Sequence, residues 1–68
     1  MEPETEKIIE NLRKCRISKR ISLLNLATSV EISHSHLYYI EAKRVIPSLN
    51  VVLKIAKALD INFKNLLD

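Results

Sequence analysis

Hydrogen-bonding side chains crowd into one short stretch of the chain: Ser33, His34, Ser35, His36, Tyr38 and Tyr39. Leu37 and Ile40 interrupt them three residues apart, the spacing that puts two apolar residues on one side of a helix. With those two turned inward, His34, Ser35 and Tyr38 fall on the other side. Small donors and acceptors on an outward face suit the reading of polar atoms that line a groove. Two histidines raise the question of a metal, but positions i and i+2 do not face each other on a helix, and no third ligand stands near them. Cys15 falls on an apolar stripe and has no activating base, which thiol chemistry requires. The sequence offers no acid–base pair, nucleophile–base pair or phosphate loop. No catalytic residue, metal or cofactor is therefore expected.

Charge is unevenly distributed around that stretch. Residues 1–11 carry Glu2, Glu4, Glu6 and Glu10 against Lys7, a net −3. Residues 13–20 carry Arg13, Lys14, Arg16, Lys19 and Arg20, a net +5. Lys43 and Arg44 follow the polar stretch directly. Clustered cations suit a polyanion partner. A solvated helix end accounts for the same run, since the macrodipole favours Lys and Arg there.

The scaffold that must position these residues is small. A chain of 68 residues holds one domain, taken as 1–68. Such a chain buries only about 60% of the surface its unfolded form exposes, which argues against a deep catalytic cleft. A single cysteine excludes an internal disulfide and a Cys-rich zinc site. An apolar content of 47% is too high for a disordered tail. No apolar run approaches the roughly 18–20 residues that cross a bilayer, and no signal-peptide pattern opens the chain. A cytoplasmic, reducing setting with no membrane partner is the expectation.

Five helical segments and no strand can be read. Gly is absent, and the only prolines are Pro3 and Pro47. The first helix runs from about Pro3 to Arg16, with Ile8, Leu12 and Cys15 as its stripe and Ile9 beside it. Ser22, Ser33 and Ser48 each precede an apolar helical run and serve as N-caps. The second helix turns Leu23, Leu26 and Ala27 inward, and the third Leu37 and Ile40. On the fourth, Leu49, Val52, Leu53, Ala56 and Leu59 form the apolar face. A short fifth helix spans Asn62 to about Leu67.

About four residues separate the second and third helices. So short a turn forces a steep crossing, and the small Ala27 lets the third helix approach. That is a helix-turn-helix arrangement over about residues 22–41, whose second member can enter a DNA major groove. The segments Ser22–Ala27, Val30–Ser33, Leu37–Glu41, Lys43–Arg44, Pro47–Leu49 and Leu53–Leu59 together resemble the lambda repressor/Cro-like (XRE-type) helix-turn-helix family. The resemblance covers about Ile8 to Leu67.

It implies an all-α, five-helix domain that binds double-stranded DNA, commonly as a homodimer on a palindromic operator. The third helix becomes the recognition helix, with Ser33, His34, Ser35, Tyr38 and Tyr39 toward base edges. Lys19, Arg20, Leu23, His36, Lys43 and Arg44 fall toward the DNA backbone. Arg16 and Glu41 become a partly buried structural ion pair. Phe63, Leu66 and Leu67 are expected at the dimer interface, although Phe63 suits a cap on the monomer core as well. Tyr39 likewise suits a half-buried amphipathic position.

Three positions depart from the family pattern. Leu23 stands where members often carry a DNA-contacting glutamine, leaving its backbone N–H for a phosphate. Glu31 stands at a turn position that is usually Gly. A non-Gly residue at positive φ costs roughly 1–2 kcal/mol, so a rearranged turn is expected. Asp60 replaces another usual Gly and tolerates that conformation better. Leu23 and Glu31 also motivate an alternative, a helical protein-interaction module that has lost DNA binding. An antitoxin or a restriction-modification controller shares the DNA chemistry of the first reading.

Overall fold

A computed structural model describes residues 1–67, with side chains described through Leu66. Its elements are α1 (Pro3–Ser18), α2 (Leu23–Ser29), α3 (His34–Glu41), α4 (Leu49–Ala58) and a 3-10 helix (Phe63–Leu67). The expected fifth α-helix is thus a five-residue 3-10 turn, and the described residues form four α-helices plus that turn. Five residues form too few i→i+4 bonds to repay the nucleation of an α-helix. No strand occurs among the described residues.

Sequence chemistry sets both ends of the helices. The Oγ atoms of Ser22, Ser33 and Ser48 accept the backbone N–H groups of Asn25, His36 and Val51 at 3.0, 3.0 and 3.1 Å. Each satisfies a donor that the first helical turn leaves without a partner. Helix α1 begins differently, with Pro3 in its first turn and Glu4 and Glu6 at the positive end of its dipole.

All four C-termini close in one way. Arg20, Glu31, Lys43 and Asp60 adopt φ of 59°, 60°, 63° and 56°. The N–H of the next residue reaches back to a carbonyl five positions earlier, as Ile21 does to Arg16 and Ile32 to Ala27. Arg44 to Tyr39 and Ile61 to Ala56 repeat it. This is the Schellman closure, which glycine usually serves. Here four non-glycine residues serve it. The turn at Glu31 is therefore not rearranged: Glu31 takes the left-handed conformation itself.

Ile21, Ile32 and Ile61 follow three of those caps and pack against the core. Such a contact commonly accompanies the closure, and it helps to hold the strained residue before it. The core itself comprises Ile9, Leu12, Leu26, Ala27, Val30, Leu37, Ile40, Val52, Ile55, Ala56, Leu59 and Leu66. Helix α2 packs on α3 and α4, and α1 packs on α3 and the 3-10 helix. Asn11 Nδ2 donates to the Leu66 carbonyl at 2.9 Å, fixing the 3-10 helix to α1.

Two stripes differ from their sequence-based expectation. On α1, Ile9 is fully buried, whereas Ile8 and Cys15 are half-buried at its side. On α4, Leu49 and Leu53 are exposed, at 64% and 44%, and Ile55 takes the core position instead. Val52, Ile55, Ala56 and Leu59 form the i, i+3, i+4, i+7 set that faces α2. Leu53 stands one residue, or about 100°, away from that line. Leu49 lies at the first turn, off the centre of the same line.

Candidate nucleic-acid interface

The α2–α3 unit rests on Leu26, Ala27, Val30, Leu37 and Ile40, which are all buried. Leu37 and Ile40 are each only 1% exposed, so α3 presents one fixed side to the core. Its other side carries His34, Ser35, Tyr38 and Tyr39, with Ser33 at the N-cap and His36 on the flank, and every one of these is exposed. The Tyr38 and Tyr39 rings meet edge-on, with centroids 5.5 Å apart at 71°. The Ser33 and Ser35 hydroxyls lie 3.4 Å apart.

Arg16 and Glu41 clamp α3 in place. Arg16 Nε and Nη2 donate to the two carboxylate oxygens of Glu41 at 2.8 and 2.9 Å, a bidentate geometry. Arg16 Nη1 donates to the Ile21 carbonyl at 2.8 Å. One guanidinium thus ties the end of α1 to the end of α3 and to the turn leading into α2. The two side chains are 14% and 10% exposed, so water competes little for these bonds. Among the described residues no buried side-chain polar atom lacks a partner.

The cations are placed less uniformly. Lys19, Arg20 and Arg44 are exposed. Lys43 Nζ lies 3.3 Å from Glu10 Oε1, while Arg13 Nη1 lies 3.5 Å from Glu10 Oε2. Glu10 therefore engages a cation assigned to the DNA backbone. Sequence spacing gave no sign of it, because Glu10 and Lys43 lie 33 positions apart. Leu23 is half-buried and lines a shallow cleft with Arg13, Arg16, Tyr38, Glu41 and Ala42.

Of the residues expected at a dimer interface, Leu66 is 2% exposed and belongs to the core of the single chain. It has no surface to offer a second copy, which corrects that assignment. Phe63 is half-buried against the same core. The Leu67 side chain lies outside the described residues. Exposed aliphatic side chains include Ile17 on α1, Leu24 on α2, Val45 and Ile46 in the segment before α4, and Leu49 and Leu53 on α4.

Two helices joined by a four-residue turn, with a polar face outward on the second, form a helix-turn-helix. A helix-turn-helix family model matches residues 12–66. The chain belongs to the Cro/C1-type helix-turn-helix family. The match takes in α2, α3 and α4 entire, together with Arg16 and Glu41. The family is one of DNA-binding transcriptional regulators of the XRE class. No curated protein and no solved structure matches the chain. Among the described residues, no helix is long and apolar enough to cross a membrane.

Proposed function

We propose that this protein is a sequence-specific, double-stranded DNA-binding transcriptional regulator that docks α3 in the major groove. The observation that carries this reading is the division of α3 into a buried apolar side and an exposed polar side. Ser33, His34, Ser35, Tyr38 and Tyr39 face base edges. Lys19, Arg20, His36, Lys43, Arg44 and the backbone N–H of Leu23 meet phosphates, which supply most of the affinity and none of the sequence information. The Arg16–Glu41 clamp fixes the pitch of α3 against the rest of the domain.

One domain of this size contacts too little DNA for tight discrimination. A homodimer on a palindromic operator, acting in the cytoplasm, completes the reading, with recognition helices roughly 34–36 Å apart. The exposed side chains of Ile46, Leu49 and Leu53 supply its apolar surface better than Phe63 and Leu66. An interaction module that has lost DNA binding gains little support. A disturbed turn was part of its basis, and Glu31 itself takes the left-handed conformation that closes the turn.

The test is binding to duplex DNA across a range of salt concentrations. The logarithm of the binding constant falls linearly with the logarithm of salt, with a slope near −0.9 per neutralised phosphate. Absence of binding at low salt, or binding indifferent to salt, rejects the function.

A further inference from the structure

We propose that α3 reads its half-site through single hydrogen bonds to purine N7 atoms and through apolar contact with thymine methyl groups. It separates purine from pyrimidine, and thymine from the other bases, without fixing guanine against adenine. This rests on the DNA-binding reading above and deepens it.

The inference comes from what the outward side of α3 holds and what it omits. Its exposed side chains are Ser33, His34, Ser35, His36, Tyr38, Tyr39 and, just after the last turn, Ala42. None is Arg, Lys, Asn or Gln. Those four make the two-bond forks that select guanine through O6 and N7, or adenine through N6 and N7. The nearest cations, Lys43 and Arg44, follow the helix, and the Lys43 ammonium is held 3.3 Å from Glu10.

What remains are single hydroxyls and imidazoles, which lack the two-donor or donor–acceptor fork of those four side chains. Of the major-groove acceptors open to a lone donor, N7 is the one that both purines present at the same place, so a bond to it does not tell them apart. The serine pair offers fewer donors than its two hydroxyls suggest. Ser33 Oγ already accepts the His36 N–H at 3.0 Å and lies 3.4 Å from Ser35 Oγ. Whichever hydroxyl donates across that pair, one O–H is left for a partner outside. His34 adds a ring N–H beside it.

The tyrosines supply the apolar part. Two exposed rings packed edge-on present a continuous hydrocarbon surface flanked by two phenolic groups. The thymine C5 methyl is the apolar group that the major groove offers to such a surface.

The experiment starts with selection of bound sites from a randomised duplex library. The selected duplex is then resynthesised with uracil for thymine, which deletes only the methyl. A second version carries 7-deazapurines, which delete only the N7 acceptor. The selected half-site resolves purine from pyrimidine and shows thymine columns. One 7-deaza position weakens binding about threefold to tenfold, as expected for one neutral hydrogen bond. Uracil weakens it about fourfold per contacted methyl. Tyr38→Ala with Tyr39→Ala removes the response to uracil, and Tyr38→Phe with Tyr39→Phe keeps it. Both positions are exposed, so these variants fold. A half-site that demands guanine alone, or salt-dependent binding unmoved by both analogues, overturns the readout and leaves DNA binding standing. Failure to bind any duplex at low salt overturns both.

Discussion

The Arg16 guanidinium makes three charge-assisted hydrogen bonds in a nearly dry setting, two to Glu41 and one to the Ile21 carbonyl. Removing one member of such a pair strands the other charge, at a typical cost of about 3–5 kcal/mol. A core this small yields only about 3–5 kcal/mol of net stability. Glu41→Ala is therefore expected to abolish the cooperative thermal transition seen by circular dichroism. Arg16→Met with Glu41→Leu is expected to restore it, because two apolar groups leave no buried charge alone. Glu10 acts in the opposite sense on binding. Its carboxylate holds Lys43 and Arg13 on a partly exposed surface. Exposed pairs are worth about 0.2–1 kcal/mol. Glu10→Gln, by freeing both cations, should tighten duplex binding by a few-fold in a fluorescence anisotropy titration. Lys43→Ala should then cost more affinity in the Glu10→Gln background than in the native chain.

At the scale of the elements, four helices end on a left-handed residue and none of those residues is glycine. Relief of the strain at a bulky αL residue, less the chain entropy that glycine loses on folding, leaves a gain of about 1 kcal/mol. Glu31→Gly should raise the melting temperature by about 4–8 °C, the shift that such a gain gives in a domain of this size. Asp60→Gly should give less, since Asp tolerates this region better than Glu. The serine caps were legible because each cap is a local event within four residues. The Glu31 turn was legible as a strained position, but its outcome was not. The backbone bonds from Glu31 to Thr28 and from Ile32 to Ala27, with Ile32 against the core, favour the native turn over any relaxed one. Arg20 and Lys43 went unmarked as αL residues, because the family pattern that marked Glu31 and Asp60 was not applied to these two turns. The face of α4 was misread for another reason. Leu49 and Leu53 form a second apolar line beside the core line, and periodicity cannot say which line the rest of the protein covers.

At the scale of the whole molecule, Val45, Ile46, Leu49 and Leu53 give one end of the domain an apolar surface that its own core does not use. With the homodimer proposed above, Leu49→Glu should convert the protein to a monomer in sedimentation equilibrium without changing its circular dichroism. Leu66→Ala should unfold it instead, since truncating a buried leucine costs about 2–5 kcal/mol. A dimer that survives Leu49→Glu would place the interface elsewhere. The division of α3 into two sides underlies the function itself, and backbone amide chemical-shift mapping on addition of a mixed-sequence duplex at low salt tests it most directly. The largest shifts are expected within residues 33–44 and at Lys19, Arg20 and Leu23, with α4 little changed. Shifts confined to residues 45–58, or none at all, would contradict the docking of α3 on DNA.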